Sequence, residues 1–143
     1  MINLKILAIE DVPNSFLGPF GELQDQGYQI KIVGSIEEGI SALTDNEFDI
    51  MLLDWRLPRK AHNGHIDDKG GEAVIDSMLK GVCKEWNKKI PFIVITGQNP
   101  ATNIEICKKL PGYIGTIGKL NLLSFDDYFK RAVEQANDRR SKS

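Results

Sequence analysis

Residues 48–58 read FDIMLLDWRLP, a short apolar run that ends abruptly at Asp54 and is followed four residues later by Pro58. An apolar run of this length between polar residues is typical of a β-strand that is buried on both faces. Asp54 then lies at the carboxyl end of the strand, which is where ligands bind in open α/β sheets. We therefore interpret the rest of the chain by asking which groups it brings to Asp54.

Apolar runs and helical periodicities alternate along the rest of the chain. Four further strands are predicted at 4–9, 29–33, 91–95 and 113–117, and five helices at about 13–26, 36–46, 71–86, 101–110 and 124–137. Ser35 and Glu38 form a capping box, and Ser124 is the predicted N-cap of the last helix. The alternation predicts an α/β protein with a parallel five-stranded sheet, in a single domain over residues 1–138. Residues 139–143 form a polar, basic tail that we expect to fray.

The composition is that of an ordinary globular protein, with 41% hydrophobic residues, 27% charged residues and a net charge of −2. This charge gives no reason to expect binding to nucleic acid or to a membrane, and no apolar run approaches the ~20 residues of a membrane-spanning helix. Cys83 and Cys107 lie far apart and outside any CxxC pair, so we expect buried free thiols. A cytoplasmic protein is the expectation.

Four predicted strands end at, or just before, polar side chains that can bind a metal ion or a phosphoryl group. Glu10 and Asp11 follow the first strand, Asp54 ends the third, Thr96 the fourth, and Lys119 follows the fifth. Right-handed crossovers place these strand ends at one edge of the sheet, so the five groups are expected to converge. Oxygen ligands without His or Cys favour Mg²⁺ or Mn²⁺. Together with a lysine and a hydroxyl group, such a site suits a phosphoryl group, and carboxylates themselves form aspartyl phosphates.

Each position alone has an ordinary explanation, since an aspartate at a strand end is usually a helix cap or a solvated turn. Together they resemble the receiver domains of two-component response regulators, over essentially the whole chain. The matching residues are the pair Glu10-Asp11, the motif Asp54-x-x-x-Pro58, Ile95-Thr96-Gly97 and Lys119. The resemblance implies a doubly wound (βα)5 flavodoxin-like three-layer sandwich whose parallel sheet has the strand order 2-1-3-4-5.

The resemblance also implies a role for each acidic residue. Asp54 would be the phosphoacceptor. Asp11 would bind Mg²⁺ directly and Glu10 directly or through water, and Asp54 and the backbone carbonyl of Arg56 would complete the protein ligands.

Further matching positions would contact the phosphoryl group. Thr96, with the small Gly97 after it, and Lys119 would bind its oxygens. Arg56 and Gln98 occupy two positions that face the attacking water during dephosphorylation in this family. Our hypothesis is that Arg56 prolongs the phosphorylated lifetime, because its long cationic side chain can shield the phosphoryl group or pair with it.

The function implied is signalling rather than enzymatic turnover. The chain would take a phosphoryl group from a phosphohistidine on a sensor kinase or a phosphotransfer protein and change conformation. A downstream effector or a second copy would then read the surface formed by the fourth helix, the fifth strand and the last helix. No direct binding of nucleic acid is expected. We expect either a stand-alone receiver or a fragment of a longer protein.

Two departures from the family pattern support an alternative. Leu120 stands where proline usually follows the lysine, and Thr116 stands where a switch residue is often aromatic; Tyr113 is aromatic but has the wrong spacing. These departures favour a receiver-like interaction domain that is not phosphorylated, whereas the intact carboxylates argue against it. A Mg²⁺-dependent phosphohydrolase ranks last, because Arg56 occupies the position of the general acid and is not a useful proton donor.

Residues 59–70 form a polar segment that is longer than the corresponding loop of the family. It contains His62, His65, Asp67 and Asp68. A second metal site is one interpretation, but a solvated loop fits the composition better, since no helical spacing aligns these side chains. We expect a partner-contact or lid role for this loop.

Overall fold

A parallel sheet forms the centre of the computed structural model, which describes residues 3–11, 22–60, 65–97, 104–119 and 124–143. The strands of the described residues are β1 (Lys5–Ile9), β2 (Gln29–Val33), β3 (Ile50–Asp54), β4 (Leu57–Pro58), β5 (Ile66–Asp67), β6 (Phe92–Thr96) and β7 (Tyr113–Gly118). Five of them, β1, β2, β3, β6 and β7, form this sheet. The order is β2-β1-β3-β6-β7, with every neighbouring pair parallel. The predicted order 2-1-3-4-5 is therefore confirmed, while β4 and β5 form a separate antiparallel pair.

Helices cover both faces of this sheet. They are α1, described at 22–25, α2 (Ile36–Asp45), α3 (Gly70–Leu79), α4 (Ile104–Cys107) and α5 (Phe125–Lys142), with a 3₁₀-helix at Glu85–Lys89. One apolar layer joins the sheet to α2, α3 and α4, and a second joins it to α1 and α5. The predicted three-layer sandwich is confirmed. Of the helices that the structure describes, none has both the length and the hydropathy to span a membrane.

The central strand β3 shows why its sequence is a continuous apolar run. Met51 and Leu53 pack in the layer with α2 and α3, whereas Ile50 and Leu52 pack in the layer with α5. All four side chains are almost completely buried. Each contributes about 1.5–3 kcal/mol by leaving water, so both faces of β3 favour the same central position in the sheet.

The capping box is confirmed at the start of α2, and Ser124 is confirmed as the N-cap position of α5 but without a capping bond from its side chain. The amide N–H of Glu38 donates to Ser35 Oγ at 3.1 Å, and that hydroxyl donates to Glu38 Oε1 at 3.1 Å. Ser124 makes no capping bond with its side chain, because its backbone is already helical (φ −86°, ψ −3°), whereas a capping residue has an extended backbone. Asp126 and Asp127 in the first turn favour the helix start instead.

The helix after Gly70 is shorter than predicted. It ends at Leu79 rather than near Trp86, because Gly81 adopts a positive φ of 83° and closes the helix. Gly81 N–H donates to the Met78 carbonyl, and Val82 N–H donates to the Ser77 carbonyl at 2.9 Å. This pair of bonds is the Schellman motif. The chain then turns and enters the 3₁₀-helix.

The polar segment after Pro58 is more ordered at its base than a simple loop. Leu57 pairs with Asp67 and Pro58 with Ile66 in an antiparallel ribbon. The expectation of a loop throughout 59–70 is therefore wrong at Ile66–Asp67, while residues 61–64, which include His62, lie outside the described residues.

The expectation that the chain frays after residue 138 is also wrong. Helix α5 continues to Lys142, because two arginines near its end contact residues of other elements, the buried Asp49 and the partly buried Trp86. Arg140 donates to both carboxylate oxygens of Asp49, at 2.7 and 3.1 Å. Arg139 stacks on Trp86, with its guanidinium carbon 4.1 Å from the ring centroid. The division of the chain into 1–138 and a tail remains a proposal that these contacts do not favour.

Both cysteines are free thiols, as predicted. Cys107 is completely buried between α4 and the sheet. Cys83 is only partly buried, so the expectation of burial is confirmed for one thiol and wrong for the other.

Candidate functional site

The strand registers bring the predicted polar groups to one edge of the sheet. β3 and β6 are aligned so that Asp54 pairs with Ile95, and β6 and β7 so that Thr96 pairs with Gly118. The ladder continues past the strands, since Lys119 N–H donates to the Thr96 carbonyl at 2.8 Å. The predicted convergence of strand ends is therefore observed in the backbone.

Three carboxylates meet at this edge. Glu10, Asp11 and Asp54 each offer one oxygen, and these oxygens all lie within 4.8 Å of one another. Glu10 and Asp54 are almost completely buried, and Asp11 is half-buried. Among the described residues, this is the one group of three His, Cys, Asp or Glu side chains with the geometry to hold a metal ion. His65, Asp67 and Asp68 do not form a second one.

Lys119 links two of the carboxylates. Its Nζ donates to Glu10 Oε1 at 3.2 Å and to Asp54 Oδ2 at 3.1 Å. Burial alone lowers the pKa of Lys119, but the charges and hydrogen bonds of Asp54 and Glu10 outweigh it and raise the pKa above its usual value. Lys119 is therefore held as a cation that touches the buried pair.

The two oxygens of Asp54 have different surroundings. Oδ2 accepts from Lys119, whereas Oδ1 is buried and has no hydrogen-bond partner among the described residues. Burial raises the pKa of Asp54; contacts with Glu10 and Lys119 oppose this, Asp11 adds to it, and the net pKa is raised. A carboxylate oxygen without a partner beside two further carboxylates fits a hard divalent cation such as Mg²⁺.

Thr96 is the last residue of β6, at the same edge of the sheet as the carboxylates, and Gly97 follows it. Thr96 is completely buried at the end of the strand. Gly97 is exposed, and a Cβ added there would meet no atom of the described residues within 4 Å. Packing against the described residues therefore does not require glycine at this position.

Arg56 lies two residues after Asp54, in the turn that follows β3. Its side chain is half-exposed and its Nε donates to Asp68 Oδ1 at 2.9 Å. This partner was not assigned from the sequence, since the two residues are twelve apart and belong to different elements. Gln98 lies outside the described residues, so its predicted role is not tested.

Tyr113 contacts the residue that stands at the expected aromatic position. Its hydroxyl oxygen lies 2.5 Å from Thr116 Oγ1, and its ring packs against Phe92 with centroids 5.5 Å apart. The sequence showed only that Tyr113 has the wrong spacing to occupy the aromatic position itself. The structure shows instead that the tyrosine side chain extends along β7 to reach it.

Comparison with known proteins identifies the fold. No protein family model and no curated protein matches the sequence. Among solved structures, a CheY-like response regulator receiver domain from Methanospirillum hungatei matches with a TM-score of 0.70 and 18% identity, over 99% of this chain and 100% of that one. The non-phosphorylated HemR receiver domain from Leptospira biflexa matches with a TM-score of 0.69 and 25% identity, over 92% of this chain and 94% of that one.

A third neighbour was solved with a metal ion. The receiver domain of a sensor histidine kinase from Pseudomonas aeruginosa, with magnesium coordinated in its active site cleft, matches with a TM-score of 0.63 and 18% identity. The alignment covers 93% of this chain and 99% of that one. The resemblance predicted from the motifs is confirmed: the chain has the fold of response regulator receiver domains.

Proposed function

We propose that this chain is a phosphoacceptor receiver domain, in which Asp54 takes a phosphoryl group from a phosphohistidine. The donor would be a sensor histidine kinase or a phosphotransfer protein. The observation that carries the proposal is the environment of Asp54, a buried carboxylate beside Glu10 and Asp11. One of its oxygens accepts from Lys119, and the other has no hydrogen-bond partner within the part of the chain that the structure describes. A carboxylate in a merely structural role is expected to have both oxygens satisfied.

The transfer step balances without another reactant. An Asp54 carboxylate oxygen forms the new bond to phosphorus as the phosphorus–nitrogen bond of the phosphohistidine breaks, and the histidine nitrogen keeps the electron pair. Bound Mg²⁺ would neutralise charge on the carboxylates and on the phosphoryl oxygens. Glu10, Asp11, Asp54 and the carbonyl of Arg56 would hold it.

The remaining residues act on the transferred group. Lys119 would move its hydrogen bonds from the carboxylates to a phosphoryl oxygen, and the Thr96 hydroxyl, with the backbone at Gly97, would bind another. These new contacts would bias the conformation of β6 and β7, and so of the surface that includes α4 and α5. A downstream effector or a second copy would read that surface. Free thiols such as Cys107 fit the reducing cytoplasm as the compartment.

The alternative, a receiver-like interaction domain without phosphorylation, has one observation in its favour. Thr116 replaces an aromatic switch residue and its hydroxyl is already engaged by Tyr113. With Thr116 in place of an aromatic residue and bound to Tyr113, no aromatic side chain at this position can transmit a change at Thr96 to the surface formed by α4, β7 and α5. The proposed chemistry at Asp54 does not depend on this pairing.

Trp55 offers a direct test of these alternatives. It is buried next to Asp54, whereas Trp86 stacks on Arg139 at the opposite edge of the sheet, so Trp86→Phe leaves one tryptophan at the site. We expect Mg²⁺ with beryllofluoride, a phosphoryl mimic, to change Trp55 emission, and we expect Asp54→Asn to abolish the beryllofluoride response.

The control is Asp76→Asn, which removes a carboxylate from the exposed Asp76–Lys80 pair on α3 and should respond as the parent does. No beryllofluoride response in the parent would favour the silent interaction domain. Turnover of a phosphate ester by the parent, lost in Asp54→Asn, would favour the phosphohydrolase.

A further inference from the structure

The first turn of α3 packs directly on the turn that follows Asp54. Gly70 and Gly71 are both buried, and Gly71 N–H donates to the Trp55 carbonyl at 2.8 Å. Trp55 N–H donates in turn to the Ile95 carbonyl at 3.1 Å. The residue after Asp54 is therefore held by two backbone hydrogen bonds, one from α3 and one to β6.

This contact requires glycine at position 71. A Cβ there would lie 2.5 Å from the Trp55 ring, 3.1 Å from Trp55 Cα and 3.1 Å from the Asp54 carbonyl oxygen. Carbon atoms that are not bonded to each other pack at about 3.5–4.0 Å, so an added side chain would overlap the ring and press on the backbone. Only the absence of a side chain lets α3 approach Asp54 this closely.

The Trp55 ring has little room in which to move aside. Trp55 is 3% exposed and belongs to the apolar layer that includes Val74 and Ile75 of α3, which are completely buried. Protein interiors are close-packed, so a methyl group added at Gly71 has no gap to fill. Relieving the overlap requires α3 and the turn after β3 to move apart.

The next part of this turn is held against α3 as well. Leu57 is completely buried and pairs with Asp67 in the short ribbon, and a Cβ on Gly70 would lie 2.8 Å from Leu57 Cβ and 2.9 Å from its carbonyl oxygen. The backbone is therefore fixed on both sides of Arg56. Among the described residues, none donates a hydrogen bond to the Arg56 carbonyl, which leaves that oxygen available to a metal ion.

We propose that Gly71 is a positioning residue for the metal site. By letting α3 rest on the backbone of Asp54 and Trp55, it fixes the directions of the Asp54 carboxylate and the Arg56 carbonyl. The inference rests on the metal site of the proposed function, in which both groups hold Mg²⁺. This ion demands near-ideal octahedral geometry at about 2.0–2.1 Å, so a shift of the turn by about 0.5 Å is enough to weaken its binding.

The test measures metal affinity directly. Mn²⁺ is the probe, because its free ion is counted by electron paramagnetic resonance, and far-UV circular dichroism checks that each variant is folded. We expect Gly71→Ala to raise the Mn²⁺ dissociation constant about tenfold, the lower end of the effect of groups that orient metal ligands. Gly70→Ala, whose added Cβ meets Leu57, is the second variant and should change the affinity in the same direction.

Trp55→Leu separates positioning from a general loss of stability. It removes the ring that an added Cβ at position 71 would overlap, so in the Gly71→Ala background it should return the Mn²⁺ dissociation constant to within about threefold of the parent value. A merely destabilising effect predicts the opposite, because Trp55→Leu leaves a cavity and weakens the fold further.

Gly115→Ala is the matched control. Gly115 is also buried, and a Cβ there would lie 2.8 Å from the Tyr128 ring. That contact joins β7 to α5 and does not involve the turn after β3. We therefore expect the Mn²⁺ affinity of Gly115→Ala to equal that of the parent.

A folded Gly71→Ala variant that binds Mn²⁺ as tightly as the parent overturns the inference, as does a loss that persists with Trp55→Leu or is shared by Gly115→Ala. If Gly71→Ala does not fold, parent-like affinity in Gly70→Ala overturns it.

The proposed function fails in a different way. A parent that binds Mn²⁺ through Asp54 but gains no phosphoryl group from acetyl phosphate rejects the phosphoacceptor role and leaves the role of Gly71 in metal binding to stand. A parent whose Mn²⁺ affinity is unaffected by Asp54→Asn rejects the metal site, and this inference with it.

Discussion

The two carboxylate oxygens of Asp54 have different surroundings. Lys119 takes Oδ2, and Oδ1 stays buried without a partner among the described residues. The sequence alone was enough to bring Asp54, Glu10, Asp11 and Lys119 together, since each follows an apolar run and parallel strands share an edge. It could not have revealed which oxygen of Asp54 is satisfied, because that depends on the position of the Lys119 side chain, 65 residues further along the chain.

The reactivity of the Cys107 thiol tests whether this residue is buried as the structure shows. Burial raises the pKa of this thiol from its ordinary value of 9.0 to about 12. At pH 8 the thiolate is then about a thousandfold scarcer than for an exposed cysteine, and thiolate is the reactive form. We expect native Cys107 to resist iodoacetamide at pH 8 while the half-buried Cys83 is modified first.

Peptide mass mapping over time measures both rates, and urea-unfolded protein is the control in which both thiols should react alike. Raising the pH toward 12 should increase the modification of Cys107 relative to pH 8, because the thiolate fraction grows with pH below the pKa. Equal rates for the two thiols in the native protein at pH 8 would contradict the burial of Cys107.

Among the elements, α5 continues past the end that its sequence predicts. Its last residues are polar and basic, which is typical of a frayed end, yet the helix continues to Lys142. The cause is tertiary: the buried Asp49, 91 residues earlier, accepts two hydrogen bonds from Arg140. No local pattern reveals such a partner. The capping box at Ser35, by contrast, is local and was predicted.

Arg140→Ala tests the anchoring of α5. The variant leaves Asp49 buried with its Lys5 N–H bond but without its cation. A buried carboxylate that loses its ion-pair partner is costly, and because Arg140 itself is partly exposed we expect a loss of about 1–3 kcal/mol in the free energy of unfolding. Urea unfolding measures it.

Lys142→Ala is the matched control on the same helix. It removes the exposed Lys142–Asp138 pair, and we expect a change of no more than about 0.5 kcal/mol. An Arg140→Ala variant as stable as this control would show that the last turns of α5 are not anchored through Asp49.

At the scale of the whole molecule, β3 connects two opposite edges of the sheet. Asp49, immediately before the strand, holds the end of α5, and Asp54, its last residue, lies among the site carboxylates. The fold was predictable because buried parallel strands read as apolar runs. Receiver domains that are only 18–25% identical to this chain share its fold over nearly the whole chain.

Intact-mass measurement after incubation with acetyl phosphate tests most directly whether Asp54 accepts a phosphoryl group. We predict that wild type gains the mass of one phosphoryl group only when Mg²⁺ is present, that Asp76→Asn gains it equally, and that Asp54→Asn does not. A wild-type protein that gains no mass under these conditions, or an Asp54→Asn variant that is labelled to the same extent, would contradict the claim.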